Sequence, residues 1–320
     1  MISYLITGTT GLIGSAILRE LLSHDDDIQI VAPVRNLVKA HSMFPDAKSS
    51  KRLLFVECDL LTTDFSFAKD IDYIIHCAAP TSSQFFVEHP IETFDSIYLP
   101  SVSLLQYASR NKVKGFVYLS SLEVYGTITD DQLVTEELQG YLDPLSVRSS
   151  YPKAKRAVEH LCHLYAKQYG VPVSIARLTQ TTGPGAAPDD KRVIADFCRC
   201  ARSGEDIVLK TTGESARPYC HIYDAVSAIL HILRHGSSGE AYNVANPVTF
   251  ISARDLAYFI RQNFNPDIQV RFEISPNTPF APYSKLRLST AKLERLGWHP
   301  QYSLYDICAS IISEDSIFSS

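Results

Sequence analysis

Short apolar runs alternate, along the first half of the chain, with longer segments in which apolar residues recur every three or four positions. The short runs predict buried strands, and the longer segments predict the helices that cover them. Strands alternating with helices form a parallel sheet with helices on both faces, which is a doubly wound α/β fold of the Rossmann type. The predicted strands are 2–7, 28–34, 53–58, 72–78, 115–121 and 171–178, and the predicted helices are 12–23, 90–110 and 150–169.

The pattern loosens after residue 178. A loop with glycine, proline and charge is predicted at 179–192. Helices near 193–203, 224–234 and 252–263, and short strands near 206–210 and 268–273, are predicted beyond it. We therefore expect a dinucleotide-binding domain, 1–178, and a smaller C-terminal lobe, 179–320. Part of 218–246 is expected to return to the sheet.

A glycine-rich turn lies between the first predicted strand and the first helix. Gly8, Gly11 and Gly14 are spaced three residues apart in TGTTGLIGS. Glycine permits a tight turn and close approach to a pyrophosphate, and the N-terminus of the helix, at Leu12 and Ile13, offers free N–H groups and a positive dipole end. The position after the first strand of an α/β array predicts a dinucleotide site. The structural alternative is a tight turn that binds no ligand.

The residue that ends the second strand meets the adenosine ribose in such folds. This chain has Arg35 there, and a cation favours the 2'-phosphate of NADP, whereas an acid would favour NAD. We therefore favour NADP over NAD, with an exposed strand-end arginine as the alternative. After the third strand, Asp59 could accept a hydrogen bond from the adenine amino group, with Leu60 beside it, although a solvated loop aspartate explains the same residue.

Tyr151 and Lys155 are placed to form an acid/base pair. Residues four apart share one face of a helix, so Tyr151 meets Lys155 whereas Lys153 points away. An ammonium near a phenol stabilises phenolate and lowers its pKa from about 10 towards neutral pH, which creates a general acid/base. Ser120 or Ser121 would lie at the carboxyl end of the fifth strand, where α/β folds bind ligands. Taken alone, a surface tyrosine and a solvated lysine would explain the pair.

Six motifs together give the chain a resemblance to a known family, and the resemblance covers nearly the whole chain. The sequence resembles the extended branch of the short-chain dehydrogenase/reductase family, the nucleotide-sugar epimerases and dehydratases. The motifs are specific for the family and not for one reaction. They are TGTTGLIG (7–14), YLSSLEVYG (118–126), YPKAK (151–155), ARLTQTTGPG (176–185), RPYCHIYDAVSAI (217–229) and LGWHP (296–300).

The resemblance implies specific roles. Tyr151 would transfer the proton, Lys155 would lower its pKa and bind the nicotinamide ribose, and Ser121 would hydrogen-bond the reacting sugar oxygen. The 179–320 lobe would bind the nucleotide sugar. The other implied contacts are Ala78 and Ala79 along the cofactor, Arg217 on the nucleotide diphosphate, and Asp190, Arg192 and Val193 where UDP-glucuronate decarboxylases have DDGRV.

Departures from the family pattern bear on the reaction. dTDP-glucose dehydratases have Asp-Glu after the active serine or threonine, whereas this chain has Leu122 and Glu123, and leucine cannot donate a proton. Glu123 is compatible with the reactions of family members that have Ser-Glu, among them decarboxylation. The alternative to a catalytic role is a strand-end carboxylate held by backbone N–H groups. Gln180 stands where many members have asparagine. Ile97 and Pro100 replace the usual asparagine and glycine of the helix before the fifth strand.

Hydride transfer at the sugar C4 is the step that the family shares. Arg35 and Leu122 favour net reduction of a nucleotide-linked 4-keto-6-deoxyhexose, as in the synthesis of surface-polysaccharide sugars. The alternatives are 4-epimerisation, 4,6-dehydration and decarboxylation of UDP-glucuronate. An NADP-binding sensor without turnover is a further alternative, but a sensor has no need for serine, tyrosine and lysine at catalytic spacing.

Composition and charge limit the partners, metals and cellular location that we expect for the protein. The chain has 320 residues, 45% hydrophobic content and a net charge of -5 with scattered cations, so we expect no nucleic-acid partner. Seven cysteines without paired spacing favour neither a disulfide framework nor a zinc site, and we expect no metal. We see no signal peptide and no apolar run of about 18 residues, so we expect a cytoplasmic protein away from membranes. Family analogy suggests a homodimer formed through 90–110 and 150–169.

Overall fold

The computed structural model describes residues 1–24, 27–187, 189–274 and 283–313. The strands within these residues are β1 (Ile2–Thr7), β2 (Ile28–Val34), β3 (Leu53–Glu57), β4 (Tyr73–His76), β5 (Gly115–Ser121), β6 (Leu133–Val134), β7 (Val173–Leu178), β8 (Gln180–Thr182), β9 (Ile207–Leu209), β10 (Ala216–Arg217), β11 (Tyr219–His221), β12 (Ala241–Val244), β13 (Ile251–Ser252), β14 (Val270–Phe272) and β15 (Arg287–Leu288).

The helices are α1 (Leu12–His24), α2 (Leu37–Met43), α3 (Ser83–Glu88), α4 (Pro90–Arg110), α5 (Ser150–Tyr169), α6 (Val193–Ser203), α7 (Ile222–His235), α8 (Ala253–Phe264), α9 (Ala291–Glu294) and α10 (Leu304–Ile312). Short 3-10 helices lie at Pro45–Lys48, Leu122–Tyr125, Val147–Ser149 and Pro247–Thr249. No helix of the described chain is both long enough and apolar enough to span a bilayer.

Within the described residues, seven strands form one parallel sheet in the order β12-β7-β5-β4-β1-β2-β3. The predicted doubly wound Rossmann-type sheet is therefore confirmed. The strand order reverses between β1 and β4, and ligands of such folds bind at this switch point, outside the carboxyl ends of the strands. β12 pairs with β7, so part of the later chain does lie in the central sheet.

Apolar side chains on both faces of the sheet build the core. One cluster joins the sheet to α1 and α7 through residues such as Ile17 and Ile229, and a second joins it to α4 and α5 through Leu104 and Val158. These four side chains are fully buried. Two-sided cover explains why the central strands are near-continuous apolar runs rather than alternating ones.

The later chain builds a smaller cluster of its own. α6, α8 and α10 pack together around buried side chains that include Phe197, Leu256 and Ile307. The prediction of a structureless loop at 179–192 was wrong in part, because it contains β8, which pairs in parallel with β11. This three-residue strand lies between a threonine and a Gly-Pro pair, so local sequence favours a loop and only its distant partner reveals it.

Candidate active site

The glycine turn lies where the chain passes from β1 into α1. Gly8 has φ +74°, a left-handed conformation that favours glycine. A Cβ atom on Gly8 would lie 2.7 Å from the backbone nitrogen of Ala78, and one on Gly14 would lie 2.2 Å from the Gly8 carbonyl oxygen. Close backbone packing therefore requires both. A Cβ on Gly11 would meet only the Gly8 oxygen among the described atoms, at 3.3 Å, so packing constrains this position less.

The segment after β4 lies against this turn. The backbone nitrogen of Ala78 donates a hydrogen bond of 3.2 Å to Thr7 Oγ1, which fixes the segment to the end of β1. Ala78 and Ala79 are half-buried, as are Leu12 and Ile13 at the start of α1. The structure thus brings these predicted cofactor residues to the switch point of the sheet.

The predicted adenosine contacts lie at the neighbouring strand ends. Arg35 directly follows β2 and is exposed, and no described residue forms a hydrogen bond or ion pair with its side chain. Asp59 is exposed and its Oδ1 accepts a hydrogen bond of 3.0 Å from the backbone nitrogen of Leu61. Leu60 packs against the core cluster of α4 and α5. Contacts of Arg35, Asp59 and Leu60 with a nucleotide stay predictions.

Two buried hydroxyl groups at this end of the sheet indicate a ligand. Thr9 Oγ1, in the glycine turn, and Ser120 Oγ, near the end of β5, have no hydrogen-bond partner in the described part of the chain. Buried polar atoms are nearly always hydrogen-bonded, so unsatisfied ones require an explanation. Together with the N-terminus of α1, these residues fit a bound dinucleotide.

Tyr151 and Lys155 lie one turn apart on the buried face of α5. Lys155 Nζ is 5.8 Å from the centroid of the Tyr151 ring and donates a hydrogen bond of 2.7 Å to the Leu119 carbonyl oxygen. Lys155 is 3% exposed, whereas Lys153 is half-buried. The helix therefore brings Lys155, and not Lys153, to the tyrosine.

The pKa of Tyr151 is raised above its ordinary value, so the expectation of an acidified phenol was wrong. Burial is the main cause, and the negative charge of Glu123 adds to it. A hydrogen bond with the Ser121 hydroxyl and the charge of Arg148 lower the pKa but do not offset burial. Burial also lowers the pKa of Lys155 to about 8. Desolvation of both groups thus outweighs the stabilisation of phenolate that sequence spacing suggested.

Ser121 is the serine that reaches Tyr151. It ends β5, and its hydroxyl accepts a hydrogen bond of 3.2 Å from the backbone nitrogen of Glu123 while also contacting the Tyr151 hydroxyl. Ser121 is thus the predicted serine beside Tyr151, whereas the buried Ser120 hydroxyl has no hydrogen-bond partner among the described residues. That either serine binds substrate stays a prediction.

Glu123 forms an ion pair that sequence reasoning missed. Arg148 holds it with two contacts of 2.9 Å, one to each carboxylate oxygen. The Arg148 guanidinium also lies 5.1 Å from the centroid of the Phe86 ring, and Phe86 stacks on Tyr151 with ring centroids 4.3 Å apart. Arg148 belongs to a short 3-10 helix and precedes Tyr151 by three residues. This short separation was the only indication in the sequence that Arg148 lies at the site.

Of the predicted substrate-binding residues, Gln180 belongs to β8 and Arg192 contacts this strand. Gln180 begins this strand, and its Oε1 is buried without a partner among the described residues. Arg192 donates a hydrogen bond of 2.6 Å to the Thr181 carbonyl oxygen and is ion-paired with Asp190. Arg217 is half-buried on β10 and directly precedes Pro218, whose carbonyl accepts a hydrogen bond from Thr179. That any of them binds substrate stays a prediction.

The unusual residues of α4 do not interrupt the helix. α4 runs unbroken through Pro100, and the Ser101 hydroxyl donates a hydrogen bond of 2.6 Å to the Ile97 carbonyl oxygen. Ser101 also contacts His76 Nε2 at 3.1 Å, and His76 Nδ1 lies 2.7 Å from Thr7 Oγ1. A buried Thr7–His76–Ser101 chain thus occupies this region beside the apolar Ile97.

Comparison with known proteins agrees with this geometry. The sequence model of the NAD dependent epimerase/dehydratase family matches residues 4–245. UDP-glucuronic acid decarboxylase 6 of Arabidopsis thaliana is 30% identical over 308 residues, which are 94% of this chain and 84% of the relative. UDP-glucuronic acid decarboxylase 1 of Xenopus tropicalis is 27% identical over 92% of this chain and 68% of the relative.

Solved structures show the same fold. UDP-glucose 4-epimerase of Thermotoga maritima superposes with a TM-score of 0.83 at 22% identity, covering 97% of each chain. UDP-glucuronic acid 4-epimerase of Bacillus cereus, in complex with UDP-glucuronic acid and NAD, gives 0.82 at 23% identity over 97% of this chain and 98% of that one.

The family match extends over three quarters of the chain, from β1 to the end of β12. These relatives are named as enzymes, which confirms the predicted enzyme class and gives no support to a sensor. The family is described as NAD dependent, which supports a nicotinamide cofactor but not the predicted preference for NADP. The motifs, the sheet and the comparisons together establish that the chain belongs to the NAD dependent epimerase/dehydratase family.

Proposed function

We propose that the protein oxidises C4 of a nucleotide-linked uronic acid and releases its carboxyl group as CO2, as a decarboxylase of UDP-glucuronic acid would. The observation that carries the proposal is the Arg148–Glu123 pair beside Tyr151 and Ser121. An arginine fork matches a carboxylate, so Arg148 can exchange Glu123 for the carboxylate of the sugar. The decarboxylases among the relatives support this choice of substrate.

Tyr151 and Ser121 act at the C4 hydroxyl. Ser121 holds the sugar oxygen, and Tyr151 takes its proton. The glycine turn with Ala78 and Ala79 would hold a nicotinamide cofactor, whose chemistry when bound would be the reversible transfer of a hydride at C4. With a pKa of about 8, Lys155 is an ammonium at neutral pH, and it would hold the nicotinamide ribose and favour the phenolate form of Tyr151. Tyr151 takes the C4 proton as this phenolate, after its own proton has passed to solvent.

Loss of CO2 follows from the position of the ketone. Once C4 is a carbonyl, the sugar is a β-keto acid, and breaking its C5–C6 bond leaves the electron pair at C5, delocalised onto the C4 oxygen. Glu123, released by Arg148 and 30% exposed, would take up a proton from solvent and pass it to C5. Leu122 next to it is buried and, as an aliphatic side chain, has no proton to offer. By binding the carboxylate of the sugar in place of Glu123, Arg148 thus both selects the uronic acid and releases Glu123.

The nucleotide end of the substrate is assigned to the residues around β8. We assign Arg217 and Arg192 to the diphosphate and the buried Gln180 amide to a polar group of the substrate. Arg192 would exchange Asp190 for phosphate, since both present oxygens to the same guanidinium. The lobe beyond residue 178 thereby acts as the nucleotide-sugar lobe.

Product analysis tests the proposal. UDP-glucuronic acid labelled with 13C at its carboxyl carbon is incubated with the protein and NAD or NADP, and labelled CO2 and the nucleotide products are measured by mass spectrometry. We expect labelled CO2 and a UDP-pentose, without net consumption of cofactor. A product of unchanged mass but altered C4 configuration would instead identify a 4-epimerase, and recovery of untouched substrate would contradict both.

Net reduction of a 4-keto-6-deoxyhexose is the second candidate, because Leu122 replaces a proton donor and Arg35 is an exposed cation at the end of β2. The relatives named above give it no support. It predicts stoichiometric oxidation of NADPH with the keto sugar and no CO2 from UDP-glucuronic acid. Incubation with the keto sugar and NADPH, beside the incubation with labelled UDP-glucuronic acid, therefore separates the two candidates.

We also propose that the protein is a homodimer joined through α4 and α5. Ile91, Leu99 and Leu164 on these helices are 70%, 40% and 42% exposed, and an interface formed through both helices would bury them. Light scattering after gel filtration should give the mass of two chains. A single-chain mass at micromolar concentration would contradict the proposal.

A further inference from the structure

Three charged side chains, two of them buried and one half-buried, lie near one another next to Tyr151. Lys155 and Glu159 lie one turn apart on α5, and Arg177 lies on the neighbouring strand β7. Lys155 and Glu159 are 3% and 8% exposed. Arg177 holds both carboxylate oxygens of Glu159, with its Nε 3.0 Å from Oε1 and its Nη2 2.8 Å from Oε2.

The spacing of Lys155 and Glu159 makes them natural partners. Opposite charges four residues apart on a helix attract each other, and a buried charge is costly without a partner. Yet the ion pair of Glu159 in the described chain is with Arg177, and Lys155 Nζ donates to the Leu119 carbonyl oxygen instead. Arg177 therefore competes with Lys155 for the same carboxylate.

The guanidinium of Arg177 is itself fixed from other elements. Its Nη1 donates hydrogen bonds of 3.0 Å to the Tyr125 hydroxyl and 2.7 Å to the Glu136 carbonyl oxygen. The Tyr125 hydroxyl in turn donates a hydrogen bond of 2.6 Å to Asn243 Oδ1. The fork cannot turn away from Glu159 without breaking this network.

We infer that Arg177 is a positioning residue for Lys155: by occupying both carboxylate oxygens of Glu159, it leaves the ammonium free to face Tyr151 and the cofactor. The inference rests on the proposed role of Lys155 in cofactor binding. Arg177 and Glu159 touch neither substrate nor cofactor in the proposed function. In this inference they control where the Lys155 side chain points and at which pH it is charged.

The charge of Lys155 can be followed by pH because the neighbouring groups whose pKa values are shifted titrate away from pH 8. Burial lowers the pKa of Lys155 to about 8, and the negative charge of Glu159 opposes that shift. The pKa of His76 is lowered to about 3, and the pKa values of the neighbouring phenols and thiols are raised. The titratable groups around Lys155 are Tyr151, Glu159 and Cys162 on α5, His76 and Cys77 at the end of β4, and Tyr118 on β5.

Two substitutions that remove the same ion pair should shift cofactor binding in opposite directions. Binding that needs the ammonium is lost as pH rises through the pKa of Lys155. Arg177→Gln frees Glu159 to pair with Lys155, so the midpoint should rise by about one pH unit or more, and the affinity for NAD at neutral pH should fall about tenfold. Glu159→Gln removes the negative charge, so the midpoint should fall by a similar amount.

The experiment measures the Kd of NAD against pH by calorimetry for the wild type and both variants, with circular dichroism to verify folding. If Arg177→Gln does not fold, Arg177→Lys keeps the charge but holds Glu159 at one point instead of two. It should then give a smaller shift in the same direction. The double variant Arg177→Gln/Glu159→Gln should recover the neutral-pH affinity lost in Arg177→Gln.

A merely structural ion pair gives a different result. It would lower thermal stability in both single variants and leave the pH midpoint of NAD binding unchanged, which would overturn the inference, as would shifts of the same sign. Lys155→Met separates this failure from failure of the proposed function. If NAD binding is equally tight in Lys155→Met across the pH range, the proposed role of the lysine is wrong and the inference falls with it.

Discussion

Replacement of Arg148 by methionine should remove recognition of the uronic acid while leaving the fold intact. Methionine keeps an unbranched side chain against the Phe86 ring but offers no donor to a carboxylate. The Arg148 and Glu123 side chains are 20% and 30% exposed, and a pair that is partly open to solvent contributes about 1 kcal/mol or less to stability. The melting temperature should therefore fall by only about 2–4 °C.

The expected functional loss is much larger. A hydrogen bond to a charged group contributes about 1.5–3 kcal/mol, and the fork would form two of them with the sugar carboxylate. Taking about 3 kcal/mol in total, kcat/KM for UDP-glucuronic acid should fall by more than about 100-fold. Arg148→Lys is the matched control, because it keeps the charge without the fork, and should lose about tenfold.

The assay compares two ligands that differ in the carboxylate. Steady-state rates are measured with UDP-glucuronic acid, and Kd is measured by calorimetry for UDP-glucose, which has no carboxylate. The affinity of Arg148→Met for UDP-glucose should stay within about twofold of the wild type. An equal loss for both ligands, or no loss for either, would refute the assignment of Arg148 to the sugar carboxylate.

Three further predictions concern the cofactor turn, the buried histidine and the choice of cofactor. Gly14→Ala should unfold or strongly destabilise the protein in a melting experiment, because its Cβ would lie 2.2 Å from the Gly8 oxygen, whereas Gly11→Ala should fold and lose affinity for NAD in calorimetry. Burial lowers the pKa of His76 from 6.5 to about 3, so between these pH values only the unfolded chain takes up the proton. In denaturant titrations the wild type should therefore lose stability relative to His76→Gln as pH falls from 6.5 towards 3. Curves of stability against pH that run parallel for the two proteins would contradict this. Arg35→Asp should raise the Kd of NADP about tenfold without raising that of NAD, and an unchanged ratio would remove Arg35 from the ribose site.

Periodicity predicted the elements that carry long local patterns. α5 was predicted at 150–169 and α6 at 193–203, and the structure has the same bounds. β1, β2 and β5 likewise agree to the residue. These segments are buried continuously or on one face, so the apolar pattern alone determines them. β8 was missed because its three residues gain their order from β11, about forty positions away.

The candidate site divides in the same way. Tyr151, Lys155 and the glycines could be found because local spacing on a helix or turn brings them together. Arg148 with Glu123 are joined across 25 positions, and Arg177 with Glu159 across 18, so no local pattern reports either pair. The raised pKa of Tyr151 could not be predicted from the sequence either, because desolvation depends on packing against residues such as Phe86.

The proposed chemistry is tested most directly by Tyr151→Phe. The measurement is the rate of labelled CO2 release from carboxyl-labelled UDP-glucuronic acid, made alongside the Kd of NAD for the same preparation. Because phenylalanine keeps the ring stack on Phe86, with centroids 4.3 Å apart, the Kd should stay within about twofold while the rate falls by about 100-fold to 10,000-fold. CO2 release near the wild-type rate, with NAD bound normally, would show that the Tyr151 hydroxyl is not the proton-transfer group.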